Sequence, residues 1–131
     1  MKIITLKHQL GDGHNILSLT LHQLTYTNMI IEEKIKILIQ KLGKEKNSNC
    51  FFITSSQLTK LLSLLSSMLD NLLINSNKSI RDISSDINLI MRWSIDEWTW
   101  NTLTKEIVEI IEEYEKLEKL SKKIIEEYFN Q

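Results

Sequence analysis

The sequence predicts a mainly α protein, a helical bundle of about four helices with an N-terminal β-hairpin packed on it. Two observations carry that expectation: apolar residues recur at helical spacing from residue 29 onward, and alternating residues flank Asp12-Gly13 before it. With 131 residues the chain fits one domain, 1–131, divided into a hairpin over 1–27 and a bundle over 28–131.

Asp12-Gly13 is a favoured two-residue turn because both positions tolerate positive φ. Centred there, Ile4 pairs with Leu21, Leu6 with Leu19 and His8 with Leu17. Thr5/Thr20, Lys7/Ser18 and Ile3/His22 fall on the other face. One face is then apolar and the other mainly polar, as a half-buried antiparallel pair requires. A lone hairpin is marginal in water, so it must lie on the helices. An amphipathic helix over residues 15–27 is the competing reading.

The period then changes to 3.6. Met29, Ile30, Ile35, Leu38 and Leu42 predict a helix that stops at Gly43, a usual residue just past a helix end. Thr54-Ser55-Ser56-Gln57 forms a capping box, in which Thr54 caps and Gln57 reaches back. It opens a helix with Leu58, Leu61, Leu62, Leu65, Met68, Leu69, Leu72 and Leu73 on one wide face, broken at Asn75–Asn77. Ile80, Ile83, Ile87 and Ile90 predict a third helix ending near Trp93. Ser94-Ile95-Asp96-Glu97 reads as a second capping box, starting a last helix that runs to about Phe129 and is open to interruption at Asn101-Thr102. Trp100, Leu103, Ile107, Ile110, Tyr114, Leu117, Ile124 and Tyr128 keep a heptad seam broken by Ser121. The seam suits either the chain's own core or pairing with a second chain. Leu62, Leu65, Leu69, Ile83, Ile87, Ile107, Ile110 and Tyr114 are the expected shared core.

Composition narrows the function classes. Hydrophobic residues make up 42% and charged ones 25%, which is a globular rather than a disordered balance. The formal net charge of -1 gives no overall pull toward nucleic acid or a membrane. No apolar run approaches the roughly 20 residues of a membrane span, and the start turns polar too soon for a secretory signal, so a cytoplasmic protein is expected. Cys50 stands alone, which excludes an internal disulfide and fits a reducing compartment. His8, His14 and His22 scatter over both hairpin faces and its turn, so no metal site is expected. No phosphate loop, nucleophile elbow or zinc helix motif occurs, so neither a catalytic residue nor a cofactor is expected. The interleaved Glu and Lys of residues 105–123 read as a solvated, salt-bridged helix face.

Two clusters remain as binding candidates. Residues 1–60 hold eight Lys against four acidic residues, whereas residues 95–131 hold ten acidic residues against five Lys. Lys34, Lys36, Lys41, Lys44, Lys46 and Lys60 are therefore candidates to track phosphates. Arginine occurs only at 81 and 92, which disfavours base-specific readout. Trp93, Trp98 and Trp100 crowd one helix junction, either as a core seal or as anchors for a partner.

The stretch Phe52-Ile53-Thr54-Ser55-Ser56-Gln57-Leu58-Thr59-Lys60 is similar to the "TTSQ-x-R-K" helix start of the small subunit of type III-A CRISPR effector complexes. The helical remainder from about 51 to 129 fits the size of that family. The resemblance implies a non-catalytic antiviral-defence subunit that stacks in a complex and helps line the path of RNA, with Gln57 and Lys60 near nucleic acid. The sequence departs from the pattern at Thr59, where the motif has arginine. The family's central aromatic and basic motif is also missing, and the hairpin has no counterpart there.

The sequence thus leads to a non-enzymatic subunit or adaptor. Its expected partners are proteins of a larger complex or a second copy joined through the C-terminal helix, RNA being a further candidate and membranes not. The alternative is a small phage or mobile-element protein that binds and inhibits a host protein such as a defence component.

Overall fold

A computed structural model describes residues 15–48, 51–72 and 82–129. Its four helices are α1 (Asn15–Glu45), α2 (Ser55–Leu72), α3 (Ser84–Asp96) and α4 (Thr102–Phe129). α1 is flanked by α2 and α4, and α3 packs on α2 and α4. α1 and α4 run antiparallel, because Lys34 meets Glu113 and, further along α1, Lys41 meets Glu106. One core joins all four helices. It includes Ile31, Ile35 and Leu38 from α1, Leu61, Leu65 and Met68 from α2, Ile87 and Ile90 from α3, and Ile107, Ile111 and Tyr114 from α4.

The expected core is largely met. Leu65, Ile83, Ile87, Ile107, Ile110 and Tyr114 are buried in it, while Leu62 and Leu69 pack half-buried at its edge. The seam of α4 is spent on this interior, since Leu103, Ile107, Ile110, Tyr114, Leu117 and Ser121 are all buried. Asn71 donates to the Tyr114 hydroxyl at 3.0 Å, which satisfies two polar groups inside the bundle. Asn28 donates to the Leu72 carbonyl at 3.4 Å and ties α1 to the end of α2.

Several boundaries differ from expectation. Residues 1–14, the first strand and turn of the expected hairpin, lie outside the described residues. Residues 15–27, expected as its return strand or, in the competing reading, as an amphipathic helix, are the opening turns of α1. The helix also passes through Gly43, because nothing there calls for a left-handed residue and Lys46 N–H still bonds the Leu42 carbonyl at 3.1 Å. Met29 and Ile30, expected inside, are 61% and 37% exposed, because the buried stripe of α1 is set by Leu24, Ile31, Ile35, Leu38 and Leu42. The box at Thr54 forms as expected: Gln57 N–H donates to Thr54 Oγ1 at 3.2 Å, and Thr54 N–H donates to Gln57 Oε1 at 3.1 Å. The box at Ser94 does not. Ser94 lies inside α3, buried, with its hydroxyl donating to the Met91 carbonyl at 2.6 Å. Asn101 caps α4 instead, its Oδ1 accepting from Thr104 N–H at 2.9 Å. Ile80 lies outside the described residues.

Candidate functional site: the α3–α4 corner and the α1–α4 face

The residues expected to bind nucleic acid are mostly committed elsewhere in the fold. Lys34 contacts both Glu113 oxygens, at 3.0 and 3.1 Å, and Lys41 contacts both Glu106 oxygens, at 2.8 and 3.1 Å. Lys36 pairs with Glu32 one turn back at 3.0 Å, which holds its ammonium pKa above the ordinary value. Lys60 pairs with Asp86 of α3 at 2.8 Å. A phosphate would have to displace a carboxylate at each of these four. Lys44 and Lys46 are exposed near the end of α1. Three of the four pairings link different helices, over separations in sequence that no local pattern reveals.

Gln57 is not a surface contact. It is 8% exposed, and its amide serves three partners. Its Oε1 accepts from Thr54 N–H and from Trp98 Nε1–H at 3.0 Å, while its Nε2 donates to Glu97 at 3.1 Å. One side chain thereby joins the start of α2 to the segment after α3. The three tryptophans separate into different roles. Trp98 is 5% exposed and packs edge-on to Phe52 at 6.0 Å and tilted against Trp93 at 6.2 Å. Trp93 is half-buried against the core. Trp100 is 64% exposed.

The corner that carries Trp100 is braced from both sides. Glu97 and Trp98 N–H both donate to the Trp93 carbonyl, at 2.9 and 2.8 Å, which closes the end of α3. Thr104, fully buried, donates its hydroxyl to the Thr99 carbonyl at 2.8 Å. The backbone on either side of Trp100 is thus fixed while its indole meets solvent. Ile95, on the last turn of α3, is 81% exposed, and the acidic Asp96 and Glu97 lie between them in sequence. Ile95 went unnoticed in the sequence because its position falls at the supposed start of a helix rather than at the end of one.

A second exposed apolar area runs along α1 beside α4. Tyr26, Ile30 and Ile37 recur at near-helical intervals, 64%, 37% and 56% exposed, and Leu120 of α4 is 44% exposed. A depression of about 310 Å³ lies between Ile30, Leu117 and Leu120, and another of about 250 Å³ between Ile37 and Ile110. The Lys34–Glu113 pair borders both. Among the described residues, no group of three or more His, Cys, Asp or Glu is placed to hold a metal ion. No helix among them is long and apolar enough to cross a membrane.

The fold and these two surfaces describe a helical bundle with an aromatic corner and an apolar helix–helix face. No family model, curated protein or solved structure matches the chain.

Proposed function

We propose that this protein is a non-enzymatic binding module whose main contact with a partner protein is the α3–α4 corner. The observation that carries the reading is Trp100, 64% exposed on a backbone fixed by the Trp93 and Thr99 carbonyl bonds. An aromatic side chain loses little freedom on binding when its backbone is already held, and tryptophan is enriched among residues that dominate interface energy. Ile95 extends the apolar contact, and Asp96 with Glu97 gives it an acidic edge. The complementary surface is an apolar pocket rimmed by lysine or arginine. This favours the adaptor or host-protein-binding version over an RNA-lining subunit of the CRISPR type. In the RNA reading Lys34, Lys36, Lys41 and Lys60 would have to exchange their carboxylates for phosphates.

The test is affinity purification from native cells of the parent, of Ile95→Ser with Trp100→Ala, and of Lys44→Glu with Lys46→Glu. Mass spectrometry and a nucleic-acid absorbance ratio identify what each retains. A specific protein recovered with the parent and the lysine variant, and lost from the corner variant, is the expected result. RNA that accompanies the parent and disappears with the lysine variant would instead make the nucleic-acid reading the leading one.

A further inference from the structure

We propose that the α1–α4 face joins two copies of this chain as an antiparallel, two-fold symmetric dimer, independently of the aromatic corner. The two ends of the face are opposite in charge, and each borders an apolar depression. Along α1 the exposed line reads Tyr26, Ile30, Glu33, Lys34, Ile37; along the adjoining line of α4 it reads Glu109, Glu113, Lys116, Leu120. Place a two-fold axis across both helices at the Lys34–Glu113 pair. Each α1 then runs antiparallel to the other α1, and each α4 to the other α4. Ile30 and Ile37 lie on opposite sides of the axis, so Ile37 of one copy comes over the Ile30, Leu117 and Leu120 depression of the second. The same rotation sets Glu109 against Lys116 once in each direction, while Lys34 and Glu113, on the axis, meet their own copies and stay bridged within each chain. An isologous interface requires this reciprocity, because residue i must suit j and j must suit i.

The charges on the two depressions match the same arrangement. Besides the Lys34–Glu113 pair common to both, the Leu120 end carries Lys116, whereas the Ile37 end carries Lys41, Glu106 and Glu109. The Lys41–Glu106 pair is internally neutral, so one end is left positive and the other negative. Glu109 makes just a 3.9 Å contact with Lys105, both well exposed, and Lys116 makes no ion pair among the described residues. Charges of opposite sign are thus available at the ends that the rotation brings together. From Tyr26 to Lys41 the face is roughly 22 Å long at ~1.5 Å per residue, and it is two helices wide, or roughly 20 Å. That area is at the low end of specific interfaces, so the dimer is a concentration-dependent one.

The experiment is sedimentation velocity on the full chain over a wide concentration range, with Glu109→Lys, Lys116→Glu and Ile37→Glu, each checked by thermal midpoint. The parent should show a monomer–dimer equilibrium. Glu109→Lys alone and Lys116→Glu alone each place like charges opposite each other twice, so each should self-associate at least about tenfold more weakly. Mixed one to one, the two variants set their introduced lysine and introduced glutamate against each other. The unaltered Lys116 of the first then faces the unaltered Glu109 of the second, so the mixture should recover the dimer. Ile37→Glu should remain monomeric. A parent that stays monomeric at every concentration overturns the proposal. Self-association that ignores all three substitutions, or single variants that associate as well apart as mixed, also overturns it.

Discussion

Burial of the Tyr114 phenol removes the water that would solvate a phenolate, and this pushes its pKa up to about 12 despite the Asn71 amide donating to its oxygen. The unfolded chain releases that proton near the ordinary value of about 10. Between the two values the folded state binds more protons, so this group's contribution to stability is intact below about pH 10 and is lost as pH rises toward 12. Phenolate absorbance of the parent minus that of Tyr114→Phe should therefore show one step above pH 11. A difference step near pH 10 would mean that Tyr114 is solvated. At this scale the sequence was partly legible. Tyr114 was expected in the core from its place in the heptad seam, and it is there with no exposure. Gln57 was legible as a cap because its partner is three residues away, but its bonds to Trp98 and Glu97 arise only when α2 and the corner meet.

Helix boundaries show how local signals are outweighed. Gly43 carries a terminator's chemistry, yet α1 continues through it, and a methyl group placed there would meet nothing within 4 Å. Glycine in a helix costs about 0.5–1 kcal/mol relative to alanine through its extra unfolded-state freedom. Gly43→Ala should accordingly stabilise the protein by about that amount in urea denaturation, whereas a loss would show that residue 43 leaves helical geometry. Ser94 offers the opposite lesson. Its sequence fits a cap, but inside α3 its hydroxyl already has the Met91 carbonyl, so it gains nothing by ending the helix. The true start of α4 has Asn101, another good cap, and the interruption foreseen at Asn101-Thr102 is where the chain turns. The stretch 15–27 alternates well enough for a strand, but Leu24 is buried in the bundle at helical spacing with Asn28, Ile31 and Ile35.

The whole molecule is held chiefly by its shared core, with the cross-helix ion pairs fixing register rather than supplying much stability. Lys34 and Glu113 keep 46% and 39% of their side-chain surface, and pairs so exposed contribute about 0–1 kcal/mol. Leu65 has no exposure and sits where α2 meets the rest of the core. Leu65→Ala should cost about 2–5 kcal/mol in chemical denaturation. A loss under about 0.5 kcal/mol is the range of surface substitutions and would contradict that burial. The candidate surfaces were less legible than the core. A lysine-rich segment looks like a phosphate track until α4 and α3 bring carboxylates to it from distant sequence, as Glu106, Glu113 and Asp86 do. The apolar strip Tyr26, Ile30 and Ile37 is concealed for a related reason. α1 carries apolar residues on more than one side, and only packing decides which side the bundle covers.

The division of labour among the tryptophans gives the protein an internal optical reporter. Trp98, sequestered behind Phe52 and Trp93, emits as an indole in an apolar setting, whereas Trp100 emits as one in water. A soluble quencher should remove the red side of the emission band first and leave the blue side until the chain unfolds. A partner that covers the corner should shield Trp100 from the quencher and shift its light toward the blue. Occupancy of the corner is thereby readable in solution without attaching a dye.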